Sequence, residues 1–312
     1  MRFHPVRILV LAVLALVVVA TGAEAWLRIS VGDHPLFRPH PTIEYENAPD
    51  QSVVYRGMRY ETNSLGLRGP DIEATKPDDV FRLLVIGDGV VFGDLNTDQS
   101  ELATTHLSSL STKAGKRVEA VNVSANGWGP GNMLAWLEAH GDLDADYAVV
   151  VLSTADLDDD RDFAPLPAPD KPISRAPVAL MNLVQGIARD PGDGAAGSDG
   201  RRIEGDARAS IPLLLDRTAS LPRSACLIVH ETTDERAEAA PSEAARELAG
   251  SAQAKRIPVV STRDYVPLAR GYEDSVHLSA WGQRALAQAI LSCPLMQREG
   301  VAVHPLPTGS ER

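Results

Sequence analysis

The sequence predicts an α/β protein: a three-layer α/β/α sandwich around a flavodoxin-like, five-stranded parallel sheet. Three observations predict it. Continuous apolar runs of strand length recur from residue 80 onward. Segments with helical apolar spacing separate them, and strand–helix alternation gives parallel pairing. Gly, Asn, Ser and Asp gather in the loops that follow the runs, where a parallel sheet presents its ligand-binding edge.

Residues 80–87 (VFRLLVIG) read as the first strand, apolar on both faces. Leu102, His106, Leu107 and Leu110 give 99–110 a helical stripe. The second strand is 117–123. Pro130, well placed in a first helical turn, opens a helix through Met133, Leu134, Trp136 and Leu137. Residues 147–152 and 225–229 are the third and fourth strands. Residues 257–260 are the fifth, and Pro258, which lacks an N–H for a ladder, puts it at an edge. The closing helix spans 277–291, with Leu278, Trp281, Leu286, Ala287, Ile290 and Leu291 as its apolar stripe. Residues 186–209 are Gly- and Asp-rich with few bulky apolar side chains, and read as a flexible insertion. Residues 27–79 read as an extended lead-in arm, 80–295 as the domain, and 296–312 as a loose tail.

The first 25 residues read as a targeting segment. Arg2 and Arg7 precede an unbroken apolar run over 8–20, and Ala23-Glu24-Ala25 offers small residues at the positions a signal peptidase reads. Extended to Trp26, the run approaches the roughly 20 residues of a spanning helix. A cleaved signal peptide and an uncleaved membrane anchor both fit, and either exports the rest to the periplasm or the outer face of the membrane. A formal net charge of −12 argues against nucleic acid or an anionic membrane surface as partner. The two cysteines, Cys226 and Cys293, either pair in an oxidising compartment or serve as small buried hydrophobes. No Cys/His cluster suggests a metal, and LDDDRD (Asp158, Asp159, Asp160 and Asp162), with Asp156 before it, has no ligand spacing. No cofactor is implied.

Two motifs carry the chemistry. Gly87-Asp88-Gly89 forms a tight turn directly after the first strand, and Asp274 precedes His277 by three residues at the mouth of the last helix. With Asn63-Ser64-x-Gly66-x-Arg68-Gly69 ahead of the first strand, these resemble the SGNH (GDSL-type) ester hydrolases over about residues 55–292. The resemblance implies a triad in which His277 is the base and Asp274 orients it. It also implies a nucleophilic Ser where this chain has Gly89, and an oxyanion-donating Asn where it has Ala155. Asp88, Ser124, Gly127 and Trp128 would line the oxyanion pocket. Ser124 stands where the family has a Gly whose backbone N–H serves the oxyanion. Losing the nucleophile of such a triad costs on the order of 10⁶ in kcat, so impaired or lost triad catalysis is expected.

Ser124 is the first candidate for a replacement nucleophile, in an active esterase or acyltransferase, and Ser153 a weaker one because it lies within a strand. The plainer expectation for Ser124 is a local hydrogen bond. For Trp128 it is packing against the next helix, with stacking on a sugar ring as the alternative. The resemblance further implies a carbohydrate or acylated glycan as ligand, and envelope proteins as a further partner class.

Overall fold

The computed structural model describes residues 5–31, 33–158 and 207–301. Helix α1 (Pro5–Val31) runs on past the small residues at 23–25. Val13, Leu14, Leu16, Val17, Val18, Val19 and Trp26 on it are exposed. Among the described residues, no helix is long and apolar enough to cross a membrane.

The arm is more structured than an extended segment. Strands β1 (Phe37–His40) and β2 (Glu44–Asn47) form one antiparallel hairpin, and β3 (Ser52–Tyr55) and β4 (Met58–Glu61) a second. Asn63 then nucleates a turn: its Oδ1 accepts from the N–H groups of Leu65 and Leu67, both at 3.0 Å, and its Nδ2 donates to Pro70 O at 3.1 Å. Gly66 is obligatory there, because its φ is +78° and a Cβ would collide with Asn47 O. Arg68 is 2% exposed. Its guanidinium donates to Phe92 O (2.8 Å), Thr97 O (3.0 Å), Asp94 O (3.2 Å) and Gln99 Oε1 (3.2 Å). The arm is thus bolted to the segment after the first sheet strand. Arg68→Ala is expected to lower unfolding stability by roughly 3 kcal/mol, because buried carbonyls lose their donor; urea unfolding measures it.

The sheet is β5 (Val80–Gly87), β6 (Arg117–Ser124), β7 (Tyr147–Ser153), β8 (Ala225–His230) and β9 (Val259–Ser261), in the order β6-β5-β7-β8-β9 and parallel throughout. The three-layer sandwich is as expected, with β9 at an edge behind Pro258. Side chains of β5 alternate between two cores: Leu84 and Ile86 face one, Phe81, Leu83 and Val85 the other. Helix α2 (Gly89–Phe92) follows β5, and α3 (Ala103–Ser108) packs on the second face. Helix α4 (Pro130–His140) covers the first face, joined by α5 (Ala207–Ala219). Beyond β8 come α6 (Thr233–Ala237), α7 (Glu243–Ala254) and, after β9, α8 (Ala280–Leu291) and α9 (Pro294–Arg298).

Four boundaries depart from the sequence expectation. The helix expected over 99–110 is a short 3₁₀ turn (Gln99–Glu101) followed by α3. The last long helix begins at Ala280, capped by Ser279 Oγ on Gly282 N–H at 3.2 Å, so His277 lies in the loop before it. The insertion expected to end at 209 gives way to α5 from Ala207, and the rest of it lies outside the described residues. The tail is not loose at its start: α9 forms, and Met296 and Val301 are buried, while 302–312 lie outside the described residues.

Cys226 on β8 and Cys293 after α8 are disulfide-bonded, 67 residues apart in sequence.

Candidate functional site

The chain leaves β5 for β6 on one side, then returns past β5 to β7 on the other. The carboxyl end of β5 is therefore the topological switch point, where a parallel sheet opens a crevice. The Gly87-Asp88-Gly89 turn sits there. Asp88 caps α2, accepting from Val90 N–H at 2.9 Å, and Gly89 is the first helical residue.

The loop ahead of α8 brings Asp274 and His277 to the same point. Asp274 Oδ1 accepts from the backbone N–H groups of Val276 (2.8 Å) and His277 (2.7 Å), and Oδ2 pairs with His277 Nδ1 at 2.8 Å. This fixes the ring and turns Nε2 toward position 89. A Cβ built on Gly89 would lie 2.6 Å from His277 Nε2 and 2.5 Å from Asn126 Oδ1. The space of a side chain at 89 is taken up by the imidazole and an amide.

Asn126 was not singled out by its sequence, where Asn-Gly after a strand reads as a turn. Its Nδ2 donates to Asp94 Oδ1 at 3.0 Å. The β1–β2 hairpin holds it: Tyr45 Oη donates to Asn126 O, and Trp128 Nε1 donates to Tyr45 O at 3.0 Å. Trp128 is 1% exposed, so it packs and offers no face to a sugar ring. Gly127 is exposed at φ +80°, with Tyr45 Oη 2.8 Å from where a Cβ would stand.

Ser124 closes β6 beside Gly87 and is fully buried. Its hydroxyl donates to Asn122 Oδ1, whose Nδ2 donates onward to Val91 O at 3.0 Å. Ser153 ends β7, its Oγ accepting from Ala155 N–H at 3.2 Å. Ala155 lies exposed on the 3₁₀ turn Thr154–Leu157 and carries no side-chain donor. Asp156 is buried, accepts from Ser153 N–H at 2.7 Å, and hydrogen-bonds Asp88. Asp158 pairs with Arg208 at 2.7 Å, whereas Asp159, Asp160 and Asp162 lie outside the described residues. Among the described residues, no group of three or more His, Cys, Asp or Glu is placed to hold a metal ion.

The electrostatics follow from this packing. Burial opposes a charge on His277, but the Asp274 hydrogen bond and the charges of Asp94, Asp274 and Asp88 outweigh it, raising its pKa from 6.5 to about 9. The converse holds for Asp274: burial works against its charge, yet His277 and two backbone N–H groups keep its carboxyl well below the usual range. Asp88 is pushed up by burial, against the Val90 N–H and the His277 charge. At neutral pH His277 therefore holds its proton, and it must lose that proton before it can act as a base. Its folded pKa exceeds the unfolded one, so its stabilisation is fully present below 6.5 and disappears as pH rises through 9. The loss is expected to be about 3 kcal/mol at most. Urea midpoints at pH 6 and pH 10, compared between wild type and His277→Gln, check it.

No family model matches the chain, and no curated protein matches its sequence. Several solved structures are similar. An α/β hydrolase enzyme from the metagenome of Lake Arreo, Spain, is 15% identical over 68% of this chain and 94% of its own, with a TM-score of 0.42. The acetylxylan esterase Axe2 from Geobacillus stearothermophilus is 15% identical over 70% of this chain and 93% of its own, with a TM-score of 0.41. A two-domain esterase active on acetylated mannans, co-crystallized with mannopentaose, is 11% identical over 73% of this chain and 53% of its own, with a TM-score of 0.45. At these identities the likeness concerns the fold.

Proposed function

We propose that this chain is an exported SGNH-hydrolase-like protein that has lost efficient triad catalysis and binds an acylated glycan at the β5 switch point. One observation carries the reading: His277 Nε2, oriented by Asp274 through Nδ1, points at position 89, where Gly offers it no oxygen. A base and its orienter facing an absent hydroxyl are the parts of a triad without its nucleophile. Ala155 removes an oxyanion donor from the same site. The ligand class comes from the resemblance in the sequence motifs. Export is supported by Arg2, Arg7 and the apolar run over 8–20, together with a disulfide suited to an oxidising compartment.

The test has two arms. Turnover of p-nitrophenyl acetate is expected at background; efficient turnover that His277→Ala abolishes overturns the loss of catalysis. Calorimetric titration with an acetylated xylo-oligosaccharide is expected to show binding that the deacetylated form lacks. Equal or absent binding of the two overturns the glycan ligand. A second reading, an envelope partner protein without a small ligand, is favoured by the way Asn126 and His277 fill the space at position 89.

A further inference from the structure

A buried polar cluster lies beneath the Asp274–His277 loop and takes no part in the site described above. His230 ends β8 and is completely buried. Its Nε2 is 2.8 Å from Val276 O, and its Nδ1 is 3.0 Å from the Thr262 hydroxyl. A carbonyl only accepts, so Nε2 carries the proton and Nδ1 accepts from Thr262. Burial pushes its pKa down to about 4, which keeps the ring neutral and in this one tautomer. The ring stacks on Tyr272, with centroids 5.3 Å apart. Tyr272 Oη donates to Glu231 O at 2.8 Å, and Thr233 N–H donates to Ser275 O at 2.9 Å. The loop over 272–278 is thus pinned along the carboxyl end of β8.

The pinning converges on Val276. Its N–H is held by Asp274 and its carbonyl by His230, so both sides of the residue next to His277 are fixed. We infer that His230 is a positioning residue, whose hydrogen bond to the Val276 carbonyl holds the Asp274–His277 pair against Gly89. A buried group there must donate to one oxygen and accept from a hydroxyl at the same time. Neutral His does both, Gln can replace it, and an apolar side chain cannot. The role rests on the reading of Asp274 and His277 as a retained catalytic pair.

The test is an NMR titration of the His ring nitrogens in the full chain. In wild type, His230 is expected as a single Nε2–H tautomer from pH 6 to pH 10, and His277 is expected to titrate near 9. In His230→Ala the His277 value is expected to fall by about one unit or more toward its ordinary value, while His230→Gln is expected to retain most of the elevation. An Nδ1–H tautomer or a charged ring at His230 in wild type overturns the inference without any variant having to fold. A folded His230→Ala in which His277 still titrates near 9 overturns it as well. Wild-type His277 titrating near 6.5 instead overturns the reading of the pair itself. Neither esterase activity nor glycan binding enters the measurement, so failure of the ligand reading is told apart from failure of this one.

Discussion

Gly89→Ser alone is expected to leave turnover of p-nitrophenyl acetate near background, whereas Gly89→Ser with Ala155→Asn is expected to raise it about 10²–10³-fold above the single variant. On the proposed reading, two physical deficits separate this site from a working hydrolase, and only one of them lies at position 89. A serine there supplies the oxygen. Its Cβ would stand 2.6 Å from His277 Nε2 and 2.5 Å from Asn126 Oδ1, so both side chains must draw back. His277 is tied to Asp274 and Asn126 to Asp94, so drawing back strains those hydrogen bonds. The second deficit is charge stabilisation. Ala155 offers no side-chain donor, and a missing oxyanion donor typically costs about 2.7–4 kcal/mol in the transition state. Activity of the double variant is expected to rise with pH through about 9, because the base must first lose its proton. Full recovery from Gly89→Ser alone would contradict the role given to Ala155.

Breaking the Cys226–Cys293 disulfide is expected to lower unfolding stability by about 4 kcal/mol, the chain-entropy cost of releasing a loop of this length. Urea unfolding of a Cys226→Ala, Cys293→Ala double variant measures it, with alanine chosen because both positions are fully buried. The enclosed segment includes Asp274, His277 and the end of β8. Hydrogen exchange in the variant is therefore expected to rise first across 262–291, before the β5–β6–β7 centre responds. An unchanged urea midpoint would assign no stabilising role to the bond.

The middle of the central sheet was legible because β5, β7 and β8 are buried on both faces. Val80–Gly87 has every residue buried, and such a run has little to be confused with. The arm was not legible as hairpins. Its strands are four residues each, and FRPH and EYEN carry no apolar alternation. They are held by side chains far away in sequence, such as Asn132, whose Nδ2 donates to Glu44 Oε2 at 3.0 Å. The start of the last long helix was misplaced because the spacing of Leu278 and Trp281 continues the helical stripe backwards, while the cap at Ser279 decides the boundary. Within the site, Asp274, His277 and Gly89 were legible from motif spacing. Asn126 was not, since its part depends on Tyr45 and Asp94 arriving from other segments. His230 was hidden inside an apolar strand, where a single imidazole reads as core.

One feature of β6 bears on how the molecule behaves in company. As a border strand it has main-chain groups turned outward, the usual invitation to add another chain. Here the chain answers the invitation itself. Ser108 Oγ accepts from Ala120 N–H at 3.0 Å, and Leu110 O accepts from Val118 N–H at 3.1 Å. The N–H groups of Val118 and Ala120 are thus taken up by the chain's own preceding segment, and Arg117 and Glu119 put charge on the same strand, so both devices oppose growth of the sheet by self-recruitment on this flank.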